Sequence, residues 1–196
     1  MELDLKGKKC LITGGSHGIG LAIKKALEAE GVECTSWSRS EGVNLLRERA
    51  VKMEYFDIFI HCAGGFGTAN YEEDKRCMEL NYHALSKLVW EFLEYQRNWG
   101  RVIAISSIYG KEKGPNPIFT AAKAAQIGFM KSLAGRYEGT TFNTICPGHI
   151  DVGKPFPDNP QIIGKPEDVA GIVTFLCSDL AKHINGAVIT VDGGES

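Results

Sequence analysis

The sequence predicts an α/β fold, a doubly wound parallel sheet of six or seven strands, in a single domain spanning residues 1–196. Three observations carry the prediction. Short apolar runs alternate with segments of helical period from one end of the chain to the other, the pattern of strands joined by helices that cover both faces of a sheet. A glycine-rich turn, TGGSHGIG at 13–20, lies between the first such strand and the first such helix. At 196 residues the chain can bury one ordinary core and is short for two.

Residues 9–13 form the first apolar run, and 18–30 follow with Ile23, Ala26 and Leu27 spaced on one helical face until Gly31 ends the segment. Residues 33–38 read as the second strand. Residues 57–62 (DIFIHC) are nearly continuous in apolar character, as expected of a strand buried on both faces. Between them, a parallel crossover would need about a dozen residues or more, yet only a handful separate Ser38 from the short segment 43–45. A crossover helix is therefore missing, and a strand at 43–45 is very short or absent. Residues 81–95 carry Leu85, Leu88, Val89, Phe92 and Leu93 on one stripe and predict a helix. Strands are expected at 101–106, 141–146 and 187–191, and helices at 121–135 and 166–180. The stretch 153–165 holds three of the seven prolines and no helical period, so it is expected to be a short loop.

Composition excludes several classes of function. Hydrophobic residues make up 43% and charged residues 23%, ordinary values for a globular protein. A net charge of −2 supplies no broad positive field for nucleic acid or an anionic membrane, so neither partner is expected. The six cysteines show no CxxC spacing and mostly sit in apolar runs, which reads as reduced core thiols, a reducing compartment and a cytoplasmic location. The amino-terminal segment has no apolar core of a signal peptide. Five histidines without paired carboxylate or cysteine spacing point to no metal.

The glycine turn carries the first chemistry. Gly14, Gly18 and Gly20 permit a tight turn and let backbone approach a pyrophosphate, and the following helix amino terminus offers free N–H groups to phosphate. Ser16, His17 and Ile19 complete this expected cofactor loop. Its GxxxGxG spacing resembles that of the short-chain dehydrogenase/reductase family, and the resemblance runs through nearly the whole chain. HCAGG at 61–65 is similar to the family's NNAG, with Ala63 and Gly64 matching and His61 and Cys62 departing. ELNYHA places Asn81 at the family's water-holding helical asparagine. GRVIAISSIYG resembles the serine strand, in which the glycine three residues on selects Ser107 over Ser106. NTICPGHIDV resembles the PG segment, and GKPEDVAGIVTFLCSD with INGAVITVDGG the carboxyl-terminal helix and strand.

The resemblance implies a Rossmann-type fold, a nicotinamide cofactor, and hydride transfer between a small-molecule carbonyl and a secondary alcohol. Cofactor contacts are implied for the glycine loop, Asn44, Ala63, Gly64, Lys123, Pro147, Gly148 and Ile150. At the end of the second strand an acid would favour NAD(H), whereas Ser38 and Arg39 suit the 2′-phosphate of NADP(H), which is therefore preferred. The implied catalytic set is Asn81, Ser107, Lys123 and a tyrosine four residues before the lysine. Phe119 stands there. Without a phenol, general acid assistance worth about 10²–10⁴-fold is lost. Three accounts remain: another group, with His149 and Tyr109 nearest, gives the proton; a tyrosine was replaced by engineering; or the protein binds NADP(H) without catalysis. Pairing through 81–95 and 121–135, where Ala121, Ala122, Ala124 and Ala125 permit close approach, implies a homodimer or homotetramer.

Overall fold

The computed structural model describes residues 2–47, 53–67, 70–96, 98–153, 155–156 and 160–196. Six parallel strands form one sheet: β1 (Lys9–Thr13), β2 (Glu33–Trp37), β3 (Ile58–His61), β4 (Gly100–Ile105), β5 (Thr140–Pro147) and β6 (Val188–Val191). Their order is β2-β1-β3-β4-β5-β6. The chain therefore leaves β1 for one neighbour and returns on its other side for β3, with Thr13 paired to Trp37 in one direction and to His61 in the other. That reversal opens a crevice beyond the carboxyl ends of β1 and β3, the place where open parallel sheets hold ligands.

Five α-helices cover the sheet: α1 (Gly18–Ala29), α2 (Tyr71–Met78), α3 (Ala84–Tyr95), α4 (Pro117–Leu133) and α5 (Pro166–Cys177). On one face Ile12, Ile58, Ile60 and Ile103 pack with Ile23 and Leu27 of α1 and Val169, Val173 and Leu176 of α5. On the other, Leu11, Phe59, Val102 and Phe142 pack with Leu85, Val89 and Phe92 of α3 and Met130 and Leu133 of α4. Every residue of β3, β4 and β5 is buried, which explains their near-continuous apolar runs. Each fully buried Leu, Ile or Phe among them contributes about 1.5–3 kcal/mol. All six cysteines are free, four of them buried.

Several predicted boundaries change. Of the two readings of 43–45, a very short strand or none, the structure has none; after β2 the chain makes a short 3₁₀ turn, Arg39–Glu41, and β2 remains a sheet edge. The predicted helix at 81–95 is the far half of a longer rod in which α2 and α3 are joined by a π-helical turn, Glu79–His83. The sequence pattern missed α2 because only Cys77 of it is buried. Its signal is electrostatic: Asn70 Oδ1 accepts the Glu73 N–H at 3.1 Å, acids fill the first turn, and Lys75 and Arg76 lie in the last. α4 begins at Pro117 rather than at 121, because Asn116 caps it and proline suits the first helical position. α5 stops at Cys177, and Leu180 belongs to a separate 3₁₀ turn. Of the predicted loop 153–165, Lys154 and 157–159 lie outside the described residues; the described part contains no helix, and Gly164 bridges Ile150. No helix among the described residues is long and apolar enough to cross a membrane.

Candidate active site

The crevice at the switch point is a cleft of about 690 Å³. Gly14, Ser16, His17, Gly18, Ile19 and Gly20 line one wall, Ser38, Arg39 and Asn44 one end, and Ala63, Gly64 and Phe66 the opposite wall. The glycine turn is built for close approach. A Cβ on Gly20 would stand 2.2 Å from the Gly14 carbonyl oxygen, and Gly14 adopts a φ of 73° that favours glycine. α1 begins here with no side-chain cap and no acid in its first turn, so its leading N–H groups are left to a ligand anion. Loop and helix end together fit a dinucleotide pyrophosphate.

At the cleft end where a ribose phosphate is expected, the carboxylate of Glu41 stands beside Ser38. Arg39 is exposed at the rim, but the Ser38 hydroxyl is donated to Glu41, which also accepts from Ser36 Oγ at 2.6 Å. Partial burial acts to raise the Glu41 pKa, yet these two hydrogen bonds and the Lys24 charge together hold it below the ordinary value. Ser38 is therefore committed to a carboxylate. A second guanidinium, Arg76 of α2, lines the same cleft as Arg39. Sequence reading missed it because it missed the helix. Asn44 lines the cleft while its Oδ1 accepts the Leu46 N–H at 3.1 Å.

Asn81, Ser107, Phe119 and Lys123 lie behind this cleft rather than in its wall. The π turn lets the Asn81 side chain fold back, so that Nδ2 donates to the carbonyls of Cys77 and Gly65, each at 2.8 Å. Asn81 Oδ1 is buried without a protein partner, and a Cβ on Gly64 would come within 2.7 Å of it. An orphaned acceptor at that point suits the water the resemblance implies. The main-chain oxygen of Asn81 accepts from Gln126 Nε2 at 2.7 Å.

Lys123 is 5% exposed, and its Nζ donates to the Ile105 carbonyl at 2.9 Å. Burial pushes its pKa down to about 8, against a smaller upward pull from the thiols of Cys62, Cys77 and Cys146. Phe119 is buried one helical turn earlier, its ring centroid 5.4 Å from Lys123 Nζ and 4.3 Å from the ring of Phe66. Asn116 fixes this stack. Its Oδ1 accepts the Phe119 N–H at 2.9 Å while its Nδ2 donates to the Gly67 carbonyl, tying the loop after β3 to the start of α4. The two serines have different partners. Ser106 Oγ donates to the Lys123 carbonyl at 2.9 Å, whereas Ser107 Oγ accepts the Tyr109 N–H at 3.2 Å and keeps its own hydrogen to donate.

His61, which the sequence reading noted only as a departure, proves to be a buried neighbour of this group. Its Nδ1 lies 2.9 Å from Thr13 Oγ1 and its Nε2 has no hydrogen-bond partner. Burial, with help from the Lys123 charge, depresses its pKa to about 3, so the ring is neutral.

The PG segment borders the site from β5. Pro147 and Gly148 do not line the cleft, and Ile150 turns its 6%-exposed side chain into the core beneath α5, so any cofactor contact from it is through backbone. His149 is not the solvent-facing loop residue its position suggests. Its side chain is 10% exposed, Nδ1 is bonded to Glu195, and Nε2 lies 3.2 Å from the Tyr109 hydroxyl. Glu195 carried no sequence signal, because only the fold brings the segment after β6 beside that after β5. Among the described residues no three His, Cys, Asp or Glu side chains group as a metal site.

A family model described as enoyl-(acyl carrier protein) reductase matches residues 22–196. The chain is 30% identical to the 3-oxoacyl-(acyl-carrier-protein) reductase of Aquifex aeolicus, covering 99% of each, and 31% identical to the acetoacetyl-CoA reductase of Shinella zoogloeoides, covering 94% of this chain and 97% of the relative. The first alignment runs over 247 positions against 196 residues here, so the relative carries segments this chain lacks. Among solved structures, a dehydrogenase/reductase from Sinorhizobium meliloti 1021 superposes with a TM-score of 0.85 at 26% identity, covering 100% of this chain and 97% of that one. BdcA in complex with NADPH superposes with a TM-score of 0.80 at 25% identity, covering 97% and 95%. With the sheet order, the glycine loop and these matches in agreement, the chain belongs to the short-chain dehydrogenase/reductase family.

Proposed function

We propose that the protein is an NADP(H)-dependent oxidoreductase that interconverts a carbonyl and a secondary alcohol, with the Tyr109–His149 pair handling the proton that Phe119 cannot. The observation that carries this reading is the hydrogen-bonded chain from Tyr109 to His149 to Glu195, which starts two residues after Ser107. A bound nicotinamide would supply or accept the hydride. The glycine loop and the α1 amino terminus would hold its pyrophosphate, and Lys123, behind Gly64, would hold its ribose. Ser107 donates a hydrogen bond to the reacting oxygen. In reduction that oxygen takes a proton from the Tyr109 hydroxyl, and Tyr109 is reprotonated from His149 Nε2. The small molecule gains one hydride on carbon and one proton on oxygen.

Arg39 and Arg76 at the ribose end, and the NADPH bound by a structural neighbour, support NADP(H) over NAD(H). A phosphate there competes with Glu41 for the Ser38 hydroxyl. Arg39→Ala should weaken NADPH much more than NADH; equal losses refute the phosphate role.

A second reading, a cofactor binder without catalysis, is favoured by the Phe66–Phe119 stack and by Lys123 Nζ turned to Ile105. NADPH oxidation across a panel of ketones, aldehydes and 3-oxoacyl thioesters, with NADPH binding followed by fluorescence, separates the two. Turnover lost in His149→Ala supports the substitute donor. Binding without turnover, restored by Phe119→Tyr, supports an absent or replaced tyrosine. Self-association as a homodimer or homotetramer is proposed through α3 and α4, where Trp90 is exposed and packs edge-on to Phe129 beside exposed Ala121 and Ala124.

A further inference from the structure

We infer that Glu195 is a positioning residue for the proton relay, fixing the tautomer and orientation of His149 so that its Nε2 serves Tyr109; this rests on the reductase reading above. The carboxylate grips His149 at two points. Glu195 Oε1 is bonded to Nδ1 of the ring, and Oε2 accepts the His149 main-chain N–H at 3.0 Å. An ionised carboxylate only accepts, so the ring must carry its hydrogen on Nδ1. Neutral His149 then presents a bare Nε2 toward Tyr109, and protonated His149 presents an N–H to the same oxygen, whose distance is 3.2 Å. One imidazole nitrogen can thus give and regain a proton while the other stays fixed. Edge-on contacts with Tyr109 and Phe156, at centroid distances of 5.9 and 5.0 Å, hold the ring plane.

The turn that delivers Glu195 is itself constrained. Asp192 Oδ1 accepts the Gly194 N–H at 3.0 Å, and Oδ2 accepts the Ser196 N–H at 2.8 Å and its hydroxyl at 2.7 Å. These hydrogen bonds hold the Asp192 pKa below the ordinary carboxylate value, so Asp192 stays charged and committed to the turn. The segments meet only because residue 148 is glycine. A Cβ there would lie 2.5 Å from Glu195 Oε2 and 2.7 Å from Asp192 Cβ. Neighbouring Lys111 is committed away from the ring, donating to Thr190 Oγ1 at 2.7 Å.

The experiment compares wild type, Glu195→Gln and Glu195→Ala by two readouts. Nitrogen chemical shifts of labelled His149, taken where the ring is neutral, should report the Nδ1–H tautomer in wild type and in Glu195→Gln, whose amide oxygen still accepts. They should move toward the Nε2–H form in Glu195→Ala. Steady-state kinetics should show kcat lower in Glu195→Ala by at least about tenfold, a partial loss of the ~10²–10⁴-fold that acid–base assistance is worth, with KM for NADPH nearly unchanged. An unchanged tautomer in Glu195→Ala, or a changed tautomer with unchanged kcat, overturns the proposal. A wild type that turns over no substrate refutes the reductase reading instead, and the tautomer result still decides whether Glu195 sets His149.

Discussion

Replacing His61 with asparagine should flatten the acid side of the stability curve. The imidazole is fully buried between Thr13 of β1 and the π turn that carries Leu80 and Asn81, and its pKa falls from about 6.5 to about 3, first because burial penalises the cation and then because Lys123 is nearby. The unfolded chain takes up this proton at about pH 6.5, whereas the folded one refuses it until about pH 3. The stabilisation is complete above the unfolded value and is lost as pH falls through that window. Within it the loss accrues at about 1.4 kcal/mol per pH unit, so moving from about pH 7 to about pH 5 costs roughly 2 kcal/mol from this one group. Lys123 does not contaminate the comparison, because its depressed pKa of about 8 lies above the range and its penalty is constant across it. Asparagine can still bond Thr13 Oγ1 and does not titrate. Urea unfolding followed by circular dichroism at the two pH values gives the test: wild type should lose about 2 kcal/mol more than the variant. Parallel declines, differing by less than about 0.5 kcal/mol, would refute a buried neutral imidazole.

The other predictions concern charge, fit and packing. Lys123→Met should raise stability near pH 7 by up to about 3 kcal/mol, since the folded ammonium bears its full burial penalty below about pH 8 and is relieved of it above about 10.5; the advantage should vanish in thermal melts at that alkaline end. The same variant should lose NADPH affinity. Gly20→Ala puts a methyl 2.2 Å from the Gly14 carbonyl oxygen and should weaken NADPH at least about tenfold by fluorescence titration, and retained affinity would show that the loop can rearrange. Arg101→Met removes a 2%-exposed guanidinium that donates to the carbonyls of Ser178, Gly100 and Gly139 and to Asp179, and should cost about 2–4 kcal/mol by urea midpoint; a loss under about 1 kcal/mol would mean that those carbonyls find other donors.

What could be read from the chain depended on the range of the interaction responsible. β1 was legible to the residue because Cys10, Leu11 and Ile12 are buried among apolar neighbours and the glycines mark its end. α2 was not, because helix-dipole complementarity and one asparagine cap form it, while an apolar-period search looks for a buried stripe. The start of α4 was available in Asn116 and Pro117, a cap followed by a helix-initiating proline, but its alanine-rich continuation drew the boundary inward. The glycine loop and the serine strand are local motifs and assembled as written. Glu195 and the π turn beneath Asn81 were beyond reach, since one depends on two distant loops meeting and the other on a hydrogen-bond slip of one residue. Arg39 was found and Glu41 overlooked, because a side chain that captures its neighbour's hydroxyl leaves no pattern in the sequence.

The reversal of chain direction at β1 has a kinetic side. Thr13 and His61 become neighbours across 48 residues of intervening chain, and the loops that follow β1 and β3 meet only when that long closure has been made. Loop-closure entropy must be met before any of these contacts offset it, which makes such central parallel pairings slow to form. The cleft at the switch point is therefore absent from any partly folded chain lacking the β1–β3 pair, and it appears as that pair does. Bound NADPH fluorescence during refolding would then time the hardest step in the topology, and a cofactor that recognises only the finished cleft would pull the folding equilibrium toward it.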